Sequence, residues 1–188
     1  DGRYTNAAGA WLNNNYQWLT NNTDQAKVDA MVSRCLRWLT GTATDSAAWQ
    51  ALFVHFNVER GLGSNGYVNG EGVSIKPNWV NCWSWVSNPY ADKPNQYYRS
   101  MTIRQVILSV LRQLVNNAGV PQQDVTVYCD HVMPHFLYTY FTNEFPNVRY
   151  YDRFGQFGRG TNQNDYANPI YPSSGKLPTD WPADSLSR

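Results

Sequence analysis

Apolar residues recur at steps of three and four in two early stretches of the chain. Val28, Met31, Val32, Cys35, Leu36 and Leu39 form the first, opened by Thr23 or Asp24 and closed by Gly41. Ala48, Leu52, Phe53 and Phe56 form the second, opened by Thr44 or Asp45 and stopped at Gly61. Each predicts an amphipathic helix. A third stripe is wider: Ile103, Val106, Ile107, Val110, Leu111, Leu114 and Val115 predict a helix from about Thr102 to Asn117, with Thr102 as cap and Gly119-Val-Pro121 as stop.

Between these helices the period falls to two. Val73 and Ile75 alternate with Ser74 and run out into Lys76, Pro77 and Asn78, as a short buried strand does at its exit. A second strand is expected from Asp124 to Cys129, ending in Asp130-His131. A third runs from Asn147 to Tyr151 and ends at Asp152, with a helix from Pro134 to about Asn143 between the two. Strand, helix, strand, helix, strand in this order predicts parallel crossovers. The expected fold is therefore α/β, three-layer, with a short, mainly parallel sheet and Rossmann-like crossovers, plus irregular arms at both ends.

The domain boundaries follow from where the periodicity stops. Residues 1–22 carry Trp11, Tyr16 and Trp18 among asparagines without a sustained period, and predict an irregular arm whose aromatics pack onto the body. Residues 23–154 form the α/β domain. From Gly155 to Arg188 the chain turns to Gly, Asn, Pro and Ser and reads as an extended tail. The 188 residues suffice for one domain with a full core. The chain begins at Asp1, and we expect it to be a portion of a longer or processed polypeptide.

Composition narrows the classes of function. A net charge of +1, with 15% charged residues and no basic stripe, argues against a nucleic-acid partner. No apolar run is long enough to span a bilayer. The surface must be built from Asn, Gln, Ser, Thr and Tyr, which suits a secreted or cell-surface protein. Cys35, Cys82 and Cys129 fit no zinc or iron-sulfur spacing; they read as buried apolar residues, or as one disulfide with a thiol left over. Gly61-Leu-Gly-Ser-Asn-Gly66 precedes a strand instead of linking strand to helix, so it reads as an entry loop and not a phosphate cradle. His55 lies in the second helix and reads as a packing residue.

Candidate chemistry gathers where the predicted strands end, as in other parallel sheets. Lys76 and Asn78 could bind an anionic or polyhydroxylated small ligand together with Asp130 and His131. Asp130, His131 and Asp152 could instead hold a divalent metal or move a proton. His131 and His135 are four apart, but Pro134 breaks the helical geometry between them. A plainer reading pairs Lys76 with Asp130 across two strand ends and leaves them to order the edge. Two other functions remain open: self-assembly through the arms and the aromatic, Asn-rich surface, and carbohydrate binding by the loop from Trp79 to Trp85.

The segment Gly66-Tyr-Val-Asn-Gly-Glu-Gly-Val-Ser-Ile-Lys-Pro-Asn78 resembles the bacterial domain-of-unknown-function family 362, whose members carry a comparable Gly-Tyr, Gly-Glu and Ile-Lys-x-Asn run. A helix like Val106 to Leu114, a glycine like Gly119 and a strand ending in an aspartate like Asp130 extend the likeness over roughly residues 23–152. The resemblance implies an α/β domain from an exported or iron-sulfur-associated bacterial protein, and brings no settled activity. Some relatives carry ferredoxin-like cysteine clusters. Those are absent here, so no iron-sulfur cluster is expected.

Overall fold

The computed structural model describes residues 23–79 and 102–162. The N-terminal arm to residue 22, the loop at 80–101 with Cys82, Trp83 and Trp85, and the tail from 163 lie outside the described residues.

Helix α1, Gln25–Thr40, starts where Asp24 accepts from the backbone N–H groups of Ala26 and Lys27, and ends at Gly41 in the left-handed region at φ 66°. Helix α2, Asp45–Glu59, is capped by Thr44, whose hydroxyl accepts from Ala47 N at 3.2 Å. Strand β1 is Val73–Ile75, and helix α3 is Arg104–Arg112, continued by a π turn over Gln113–Asn117. Strand β2, Val125–Tyr128, follows a 3-10 turn; helix α4 is His135–Thr142, and strand β3 is Arg149–Asp152.

Two details differ from the pattern-based expectation. Thr102 does not cap α3, which starts at Arg104 without a side-chain cap. Instead the Thr102 hydroxyl accepts from Asn78 N at 3.2 Å, and its carbonyl accepts from Trp79 Nε1 at 3.0 Å, so it ties the helix entry to the end of β1. A hydroxyl that reads locally as a cap has been taken by a partner distant in sequence. Residues 155–162, read from composition as the start of the tail, instead carry strand β4, Gly160–Thr161, which pairs in parallel with β3. Asn162 N closes this pairing on Asp152 O at 2.7 Å.

The sheet order is β1-β2-β3-β4, parallel throughout. Register places Val73 beside Val125, Ile75 beside Val127, and Val127 beside Tyr150. These side chains share a face, and on it pack Ile107, Leu108, Leu111 and Leu114 from α3 and its π turn, with Leu137 and Phe141 from α4. Both crossover helices thus cover the same face. Burying each such side chain is worth about 1.5–3 kcal/mol. Helices α1 and α2 form a third layer behind α3: Gln113 accepts from Trp49 Nε1 and donates to Asp45, and Arg112 pairs with Asp29 at 2.6 Å. The opposite sheet face presents Thr126, Tyr128, Arg149 and Tyr151, each partly or largely exposed. The architecture is α/β with a short parallel, Rossmann-like sheet. Among the described residues, no helix is long and apolar enough to cross a membrane.

Candidate functional site

Parallel strands release their chains at the same edge, so residues just past β1 and β2 meet. Lys76 Nζ lies 2.8 Å from Asp130 Oδ2, one residue beyond β1 and two beyond β2. The pair forms the mouth of a cleft of about 280 Å³, lined by Pro77, Asn78, Trp79, Cys129 and His131 as well. Four of the residues singled out in the sequence, Lys76, Asn78, Asp130 and His131, are therefore together. Asp152, which ends β3, does not line this cleft.

Each wall has a local cause. Pro77 is buried and removes a donor where the strand must stop. Asn78 has its backbone N–H on the Thr102 hydroxyl and its carbonyl on Thr102 N at 3.3 Å, which fixes the backbone and leaves an exposed side-chain amide. Trp79 is 1% exposed, stacked on Phe141 at 6.0 Å, with its indole N–H spent on Thr102. Cys129 N donates to Tyr151 O, its thiol donates to His131 O, and its carbonyl accepts from the Asn162 side chain. His131 O accepts from Arg153 N at 3.0 Å, which links this loop to the one after β3.

The ion pair sets the electrostatics of the rim. The Asp130 carboxylate, hydrogen-bonded to the ammonium, holds the Lys76 pKa above the ordinary lysine value against the opposing pull of burial. Both side chains remain more than half exposed, at 56% and 58%, so the pair contributes little to stability. Burial pushes the Cys129 thiol up to about 12, which leaves it protonated and unreactive as a nucleophile.

Asp152 is fully committed elsewhere. Its Oδ1 accepts from Phe154 N at 3.0 Å and Gly155 N at 2.8 Å, and its Oδ2 accepts from Met133 N at 3.1 Å. Arg159 Nε stands 3.7 Å from the same Oδ2, and both side chains are wholly buried. Among the described residues, no three His, Cys, Asp or Glu side chains gather as a metal-ligand set. With Asp130 held by an ammonium and Asp152 by three amides and a guanidinium, Asp130, His131 and Asp152 do not fit a divalent cation. His135 begins α4, exposed and beside Tyr138 at 6.4 Å, with Pro134 separating it from the loop of His131.

Pattern reading missed Arg159, which sits in a stretch that looked like tail. Its guanidinium lies 4.4 Å from the Tyr138 ring and donates to Gln156 O and Phe157 O. A single arginine among glycines and phenylalanines was the only available signal. No protein-family model, curated protein or solved structure matches this chain, so the resemblance to family 362 rests on the motif residues quoted above.

Proposed function

We propose that the strand-end cleft binds a small polyhydroxylated ligand. The Lys76–Asp130 pair at its mouth carries the reading. The two charges cancel, so the rim exerts little net pull on a simple anion. An ammonium and a carboxylate side by side instead offer adjacent donors and acceptors, which match a pair of neighbouring hydroxyl groups. The exposed Asn78 amide and half-buried His131 add polar contacts at the same rim.

At about 280 Å³ the cleft falls just below the range of roughly 300–1,000 Å³ usual for drug-sized ligands, which favours a polyol or monosaccharide. Trp79 forms a wall and not a stacking platform, because its ring is already stacked on Phe141 and covered. Affinity must therefore come from polar groups. The Lys76–Asn78 motif that carries the family 362 resemblance supplies two of them.

The test is titration of the folded chain with glycerol, ribose, glucose and a sugar phosphate, followed by amide chemical shifts. Saturable shifts around residues 76–79 and 129–131 are expected with at least one polyol. Lys76→Ala and Asp130→Ala should each weaken that binding about tenfold or more. Variants that keep the thermal midpoint of the parent and bind every polyol unchanged would refute the assignment.

A further inference from the structure

Parallel sheets are as a rule covered on both faces, because their crossovers lay helices on each. In this chain both crossover helices pack on one face. The other face holds an open groove of about 420 Å³, lined by Thr126 and Tyr128 of β2, Arg149 and Tyr151 of β3, Thr161 of β4 and Asn162. Small-ligand sites occupy roughly 300–1,000 Å³, so the groove is large enough for one. It shares no lining residue with the strand-end cleft. Its polar groups are also unspent. Tyr67, Tyr138, Tyr140 and Tyr150 each donate their hydroxyl to a carboxylate or carbonyl oxygen. Among the described residues, the hydroxyls of Thr126, Tyr128, Tyr151 and Thr161 and the guanidinium of Arg149 make no hydrogen bond.

We propose that this groove binds a sugar carrying a single carboxylate, a uronic acid, with its ring across Tyr128 and Tyr151 and its carboxylate on Arg149. Among the described residues lining the groove, Arg149 alone is charged, and it is largely exposed. Asp124, just before β2, stands near enough to feel this charge, but its Oδ2 is taken by the Tyr67 hydroxyl at 2.5 Å and Gly70 N at 3.1 Å. The guanidinium is thus left to an incoming anion, and its planar fork matches a carboxylate.

Register spaces the two ends of the site. Thr126 stands beside Arg149 and Tyr128 beside Tyr151, so the charged end and the aromatic end lie two residues apart, about 7 Å at the strand rise per residue. That is the scale of one sugar unit. The Tyr151 ring lies against Gly160, its partner in β4, where a methyl group would collide with it. Glycine at this position therefore gives the ring room on the sheet. A tyrosine presents an apolar body and a polar tip, as a pyranose presents C–H faces and a rim of hydroxyls. Other anions fit less well. A nucleic acid or a polyphosphate brings several charges to a single guanidinium. An aromatic acid without hydroxyls leaves four protein hydroxyls unanswered.

The experiment titrates the full chain with sodium glucuronate, glucose and sodium benzoate and follows amide chemical shifts. Glucuronate should move the amides of residues 126–128, 149–151 and 160–162 saturably. Its dissociation constant should lie at least about tenfold below that of glucose, which lacks the carboxylate, and that of benzoate, which lacks the hydroxyls. Arg149→Gln, at an exposed position, should weaken glucuronate to the level of glucose while keeping the thermal midpoint of the parent. Tyr151→Leu should weaken glucuronate and glucose alike; if that chain does not fold, Thr126→Val replaces it with the same expectation. Benzoate bound as tightly as glucuronate would overturn the proposal, because it would leave the hydroxyls without a role. Unchanged glucuronate affinity in Arg149→Gln would do the same, as would the absence of saturable shifts or shifts confined to residues 76–79 and 129–131.

Discussion

At the scale of single residues, position within the sheet decides what a polar group does. Asp130 and Asp152 both follow strand residues and looked alike as candidate ligands. One stands at an open rim against Lys76; the other is buried, with three backbone amides and Arg159 around it. Cys129, one residue before Asp130, carries a pH dependence of its own. Burial lifts its thiol from an ordinary value near 9.0 to about 12 in the folded chain. The unfolded chain therefore releases this proton first, so the stability contributed is fully present below pH 9 and is lost as pH rises toward 12. The loss is on the order of 4 kcal/mol over that window. Burial raises the Tyr150 phenol in the same direction and adds to the alkaline loss. Urea midpoints measured at pH 8 and pH 10.5 should show this decline, and Cys129→Ala should show a smaller one. An equal decline in both chains would remove Cys129 as its cause.

At the scale of elements, local signals worked where a residue had no competing partner. Asp24 and Thr44 cap their helices, and Gly41 stops α1, as the sequence predicts. Gly119 stands at φ 75° just past the π turn, where Val120 N reaches back to Leu114 O at 3.0 Å. A methyl group there would meet no atom within 4 Å, so the cost of Gly119→Ala is purely the left-handed backbone. Thermal or urea unfolding should report about 1–2 kcal/mol of destabilisation. Thr102 is the counterexample, because Asn78 and Trp79 outcompete the first turn of α3 for its oxygens. Strand β4 was hidden for a related reason: two residues, one of them glycine, carry no periodicity.

At the scale of the whole molecule, one side chain joins three helices. Arg112 in α3 makes a bidentate contact with Glu144, just past α4, at 2.8 and 2.6 Å, and reaches Asp29 in α1 at 2.6 Å. About a third of each side chain remains in solvent, so Arg112→Met should cost about 1–2 kcal/mol, and high salt should shrink the difference from the parent. A variant that unfolds at the parent's urea midpoint would show that the outer layer is held by apolar contacts alone. The parallel sheet, its two crossovers and the meeting of Lys76 with Asp130 could be read from the chain, because strand and helix periods alternate and strands joined by helices run the same way. Which carboxylate stands at the open rim, which tryptophan is already covered, and that α1 leaves Met31 and Leu39 exposed were decided only by packing. Those outcomes depend on neighbours distant in the chain, such as Arg159 for Asp152, Phe141 for Trp79 and Arg112 for Asp29, and a local pattern holds no record of such neighbours.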